Sequence, residues 1–168
     1  TMKIKPEISR ILNHKFIRHT VTPENFHTVK KKIPTQPGLY KISTNCPIEV
    51  LKTTGARMDK MHYNIEKRVW DSYNIPDNII SKQVKDKLYC IYNGHNKNLR
   101  QRFNEHFAGT QGTGCMALFQ IEILKGYEWK FEYLNLNTVD GYIDSPLFRS
   151  ILEQHLRVKD GWPILCAR

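Results

Sequence analysis

Arg102 and His106 stand four residues apart in LRQRFNEHF, the spacing that brings two side chains to one face of a helix. Just before them, in LYCIYNGHN, Gly94 allows close backbone approach. A glycine followed by a guanidinium and an imidazole on the first turns of a helix suits a phosphate-bearing partner. Either side chain alone also reads as ordinary, a solvated surface cation or a packed histidine. Farther along, FRSILEQHLRVKDGWP carries Glu153 on an amphipathic pattern, with Arg149 and Arg157 about a turn to either side. That carboxylate reads as a surface ion-pair partner of one of its arginines. Tyr40 and Tyr92 add two phenols, each serving chemistry or the core.

These side chains need elements to hold them. Leu88 to Tyr92 is an apolar run with β-branched and aromatic members, ended by the chain-reversal signal Asn93-Gly94. A helix is predicted next, capped by Asn96 or Asn98, with Leu99, Phe103 and Phe107 as its buried stripe. Pro37 precedes an alternating strand from Gly38 to Ser43 that places Tyr40. Tyr127, Trp129, Phe131 and Tyr133 alternate with charged residues, the clearest strand of the chain, and the alternation lapses at Leu134. Cys115 to Lys125 reads as a helix stopped by Gly126, after a loop AGTQGTG. Asp144-Ser145-Pro146 opens the final helix, with Leu147, Ile151 and Leu152 toward the core. Upstream, Pro6 to Leu12 is a short helix, and Thr22-Pro23-Glu24 starts another that ends near Ile33.

Simple hairpins join their strands by two to five residues, so the long stretch between Tyr40 and Tyr92 contains an insertion. Met58, Met61, Ile65, Val69 and Tyr73 fall on one helical face there, as core contacts, with Lys60, Lys67 and Arg68 elsewhere. The predicted fold class is α+β: a small three-stranded antiparallel sheet flanked by helices, with a helical insertion between the first two strands. One domain over residues 1–168 is expected, with a basic helical extension at 1–37 and the insertion at 46–87.

The formal charge of the chain is +10, and every excess base lies upstream of Thr113. Residues 1–37 alone hold eight basic against two acidic residues. Such asymmetry fits a polyanion-facing side, as it would a solubilising surface. Lys30, Lys31, Lys32, Asn64, Lys67, Arg68, Lys97 and Arg100 are the candidate DNA contacts, although the lysine run equally suits the negative end of a helix. Cys46, Cys90, Cys115 and Cys166 have no CxxC spacing and read as free thiols. With no visible signal peptide and no apolar run long enough to span a bilayer, a cytoplasmic protein with no membrane partner is expected.

Gly38-Leu39-Tyr40, Tyr92-Asn93-Gly94, Arg102 and Glu153, with Pro163 ten residues beyond it, occur in an order that resembles the GIY-YIG nuclease family. The resemblance runs roughly from Gly38 to Leu165, apart from the insertion. It implies an endonuclease acting on double-stranded DNA with Mg²⁺ or Mn²⁺ held by Glu153. Its implied catalytic set is Tyr40, Tyr92, Arg102 and Glu153, with His106 on the turn where relatives place a tyrosine or histidine. His95 falls where many relatives carry lysine. Tyr40 is the expected general base, with Tyr92 or His106 in support. Three departures stand out: Asn93 replaces an aliphatic residue, the insertion is long, and ILCAR follows Pro163 where relatives often have an asparagine. The resemblance best fits a compact restriction-type enzyme with specificity in the insertion. A repair or mobile-element nuclease and a non-catalytic basic nucleic-acid-binding module are the alternatives. With one catalytic set, cutting both strands calls for a homodimer on DNA or two sequential nicks.

Overall fold

The computed structural model describes residues 4–55, 63–81, 87–110 and 114–166. Their order is α1 (Ile4–Leu12), β1 (Ile17–Val21), α2 (Phe26–Lys32), β2 (Gly38–Thr44), α3 (Ile48–Leu51), α4 (Ile65–Ser72), β3 (Tyr89–Asn96), α5 (Leu99–Phe107), β4 (Trp129–Asn135) and α6 (Pro146–Asp160). Single 3₁₀ turns occupy Leu118–Gln120, Glu122–Leu124, Leu136–Thr138 and Ile164–Cys166. The α+β class is as expected, but the sheet has four strands, ordered β1-β4-β2-β3 and antiparallel throughout. The added strand is β1, an edge strand whose IRHTV sequence is mostly exposed and shows no apolar alternation.

Helices cover both faces of the sheet. On one face, Phe103 and Phe107 of α5, Phe26 and Val29 of α2, and Ile65 and Val69 of α4 pack with Tyr40, Ile42 and Phe131. On the other, Ile8 and Ile11 of α1 and Leu152 and Leu156 of α6 pack with Leu39 and Leu134. This second layer explains why alternation lapses at Leu134: a strand covered on both sides has apolar residues on both. The insertion is likewise part of the core through Ile65 and Val69, whereas Tyr73 is exposed. Met58, Lys60 and Met61 lie outside the described residues.

Asn93-Gly94 does not end the strand after Tyr92: β3 runs through both residues to Asn96, held by pairing with Lys41 and Tyr40. Two helix expectations also need correction. Cys115 to Lys125 is not a helix; Ala117 takes a left-handed conformation (φ 48°) and two separate 3₁₀ turns follow. A non-glycine residue in that region interrupts helical progression. On α6, Leu147 is 72% exposed and the buried face is Arg149, Leu152 and Leu156, so the apolar stripe lies to one side of the expected one. Elsewhere the caps are ordinary. Asn98, not Asn96, caps α5 by accepting from the Gln101 amide, and Ser145 caps α6 by accepting from that of Phe148. At α2 the Thr22 and Asn25 side chains each accept from the other's backbone amide, forming a turn that delays the helix to Phe26.

Candidate active site

Antiparallel pairing of Tyr40 with Gly94 and of Ile42 with Tyr92 places both phenols on the α5 face of the sheet. Their rings stack at 6.1 Å. Beside Tyr92 the pairing shifts by a residue, a β-bulge at Ile91 that bends the outer strand. A Cβ at Gly94 would lie 2.7 Å from Tyr40 Cζ and closer still to the hydroxyl. Only glycine lets the phenol cross the neighbouring backbone.

That hydroxyl is where Arg102 and His106 meet. Arg102 Nε donates to Tyr40 Oη at 3.2 Å, and Oη lies 2.9 Å from His106 Nε2. Besides the lone pair that faces the guanidinium, Oη has a proton and a second lone pair, so it donates to a neutral imidazole protonated on Nδ1 or accepts from one protonated on Nε2. Nδ1 is buried with no hydrogen-bond partner among the described residues. Arg102 is fixed further by Glu105 Oε2 at 2.7 Å and the Gly114 carbonyl at 3.2 Å. The four-residue spacing of Arg102 and His106 thus serves one oxygen atom.

Burial dominates the ionisation of this group. It raises the pKa of Tyr40 well above 10, with Tyr92 adding to the effect and Arg102 opposing it. Tyr92 is raised too, first by burial and then by Cys166. His106 is held well below its ordinary value by burial and by the Arg102 cation. Burial also works against the charge of Arg102, but the phenols and Glu105 hold its pKa above the usual range. At rest the phenols and His106 are therefore neutral and the guanidinium is charged.

Glu153 reaches the same cleft from α6. The cleft encloses about 800 Å³, with Tyr40, Tyr92 and Arg102 on one side and His95, Glu153 and Arg157 on another. Tyr63, Ile75 and Ile79 of the insertion and Trp162 complete it. Glu153 Oε1 is paired with Arg157, and Oε2 faces His95 Nε2 at 3.7 Å. The expected ion pair is therefore present, made with Arg157; Arg149 pairs with Asp144 instead. Burial lowers the pKa of His95, and the Arg149 and Arg157 cations lower it further, with Asp144 opposing them.

The candidate DNA contacts are dispersed. Lys31 and Lys32 are exposed at the end of α2, while Lys30 Nζ donates to Asn104 Oδ1 at 2.7 Å. Arg100 donates to the Ile33 and Lys31 carbonyls at 2.7 and 3.2 Å, so it caps α2. Asn64 caps α4 by accepting from the Lys67 amide, Lys67 pairs with Asp71 at 2.8 Å, and Arg68 lies over the Tyr63 ring. Lys97 is exposed between β3 and α5.

Asn93, Glu105, Tyr63 and Trp162 are site residues that sequence reasoning did not assign. Glu105 could have been found three residues after Arg102, on the same helical face. Among the described residues no group of three or more His, Cys, Asp or Glu side chains could hold a metal ion. The donor chemistry at Glu153 fits an ion that keeps water and phosphate in most of its shell, as Mg²⁺ does, and not an all-protein cage. All four cysteines are free thiols, and among the described residues no helix is long and apolar enough to cross a membrane.

No protein-family model, curated protein or solved structure matches the chain.

Proposed function

We propose that this protein is a metal-dependent DNA endonuclease of the GIY-YIG type, acting as a restriction-type enzyme on double-stranded DNA. One observation carries this reading: Tyr40, Arg102 and His106 converge on a single oxygen in a cleft that also receives Glu153.

Hydrolysis of a phosphodiester requires an activated water, neutralisation of the phosphate and stabilisation of the leaving oxygen. Arg102, held charged, binds the non-bridging oxygens. Tyr40 passes protons: its oxygen takes one from the attacking water as its own moves to His106 Nε2. The relay uses the tautomer protonated on Nδ1 and ends with charge on His106, which burial and the Arg102 cation oppose, so it runs only when the anionic phosphate enters the cleft. Glu153 would hold Mg²⁺ or Mn²⁺, which when bound stabilises charge on the leaving 3′ oxygen. Tyr92 stacks against Tyr40 and limits the motion of its ring.

Plasmid DNA incubated with the protein should be cut with Mg²⁺ and remain intact with EDTA. Glu153→Gln should abolish cutting and retain binding, because it removes an ionic ligand and leaves the basic surface. Wild-type cutting by that variant would refute the assignment of Glu153. Binding by the native protein without cutting would instead indicate a nucleic-acid-binding module.

A further inference from the structure

Asn93 is 2% exposed, a carboxamide in a strand whose neighbours are Ile91, Tyr92 and Gly94. A buried amide is costly unless it is hydrogen-bonded. Its Oδ1 accepts from Arg157 Nε at 2.8 Å, and its backbone carbonyl accepts a longer bond from Arg157 NH2 at 3.5 Å. The Cys166 thiol closes the other side, 3.4 Å from the same carbonyl and 3.5 Å from Oδ1. The guanidinium face lies on the Trp162 ring, 5.0 Å from its centroid. Arg157 is thus fixed in plane and on one face, and its NH2 takes Glu153 Oε1.

We propose that Asn93 and Arg157 are positioning residues for the Glu153 carboxylate. Asn93 aims the guanidinium, and the guanidinium holds Oε1, so Glu153 presents Oε2 to the cleft on the side of His95. The pair is nearly withdrawn from solvent, with Arg157 and Glu153 side chains 12% and 14% exposed, so the contact is weakly screened. Lysine would keep the charge and has donors enough for both partners, but without the planar fork it does not hold Asn93 and Glu153 in fixed directions. This inference rests on the proposed function for its consequence in catalysis, while the arrangement itself can be tested without activity.

The variants are Asn93→Leu, Arg157→Met, Arg157→Lys and Asn93→Leu/Arg157→Met, each in the full chain and checked by thermal melting. The first readout is the carboxyl ¹³C signal of Glu153, assigned by its loss in Glu153→Gln. It should move in Asn93→Leu, which releases Arg157, and move no further when that change is added to Arg157→Met. The second readout is DNA cleavage, expected to fall about 10- to 100-fold in each single variant, with binding in EDTA unchanged in Asn93→Leu, which removes no charge. A stationary Glu153 signal in Asn93→Leu, or full cleavage by Arg157→Lys, would overturn the proposal. Should Asn93→Leu not fold, Arg157→Lys decides it by the same signal and rate. If the native protein cuts no DNA, the proposed function falls, and the Glu153 signal alone then supports or overturns the arrangement.

Discussion

Replacing Gly94 by alanine tests whether the crossing of β3 by the Tyr40 phenol matters. The added Cβ would sit 2.7 Å from Tyr40 Cζ. Carbon atoms pack best near 3.5–4.0 Å, so ring or strand must retreat by about 1 Å. Tyr40 has no slack: it is 1% exposed, stacked on Phe131 at 5.5 Å, beside Tyr92 and bonded to His106 and Arg102. Overpacking of this kind costs about 1–3 kcal/mol, or roughly 2–12 °C in melting temperature for a chain of this size. A displacement near 1 Å at the proposed reacting group can cost about 100-fold in rate, so on the proposed function cleavage should fall far more than stability. Gly126→Ala is the control, since its Cβ would meet nothing within 4 Å and its φ is not positive. The assays are thermal melting and single-turnover cutting of DNA with Mg²⁺. A Gly94→Ala protein that melts and cuts like the Gly126→Ala control would refute the reasoning.

Other perturbations separate the remaining roles. Arg100→Ala should cost roughly 1–3 kcal/mol in denaturant unfolding, because it withdraws a charged donor from the carbonyls that end α2; an unchanged midpoint would make those bonds incidental. Alanine at Lys30, Lys31 and Lys32 should make the log–log dependence of DNA affinity on salt shallower; an unchanged slope would assign these lysines to the negative end of α2. His106 has a folded pKa below its ordinary 6.5, so below that pH the unfolded chain binds protons that the folded chain does not. Stability is then fully present above about pH 6.5 and declines as the pH falls toward the lowered value, and His106→Gln should flatten that decline in unfolding measured between pH 7.5 and 5. Equal slopes for the two proteins would show that His106 does not titrate as its burial requires.

Some of this architecture can be read directly from side-chain periodicity. The β3 run and the spacing of Leu99, Phe103 and Phe107 announce the strand and helix around Arg102, because one buried face imposes one period. Asn93-Gly94, expected to reverse the chain, lies instead inside β3 and pairs with Lys41 and Tyr40. β1 carried no such signal: it sits at the sheet edge, and Arg18 faces solvent to pair with Glu132. The helix expected over Cys115 to Lys125 failed at Ala117, whose left-handed backbone is set by its surroundings and not by its own preference. Within the site, Arg157 was visible as a partner for Glu153 four residues away. Its tie to Asn93 was not, because no local rule joins a strand amide to a helix 64 residues later.

The way the insertion joins the sheet bears on how readily the cleft can be remodelled. Thr44 and Tyr89 are paired across a long excursion of chain, and the entropy of closing a loop rises only logarithmically with its length. Doubling such a loop costs about 0.6 kcal/mol, less than one lost helix cap. The insertion is anchored at Cys46, Leu51, Ile65 and Val69 in the core, by the Tyr63 amide on the Cys115 carbonyl at 2.8 Å and the Tyr63 hydroxyl on the Leu165 carbonyl, and by the backbone bonds of Ser81 and Trp162 to the Trp162 and Ile79 carbonyls, both 2.8 Å. β2, β3 and α5 lie outside this segment. Tyr63, Ile75 and Ile79, which wall the cleft, belong to this segment, whereas Tyr40, Arg102, His106 and Glu153 do not. One wall of the cleft thus comes from a segment separate from those that carry the proposed catalytic residues.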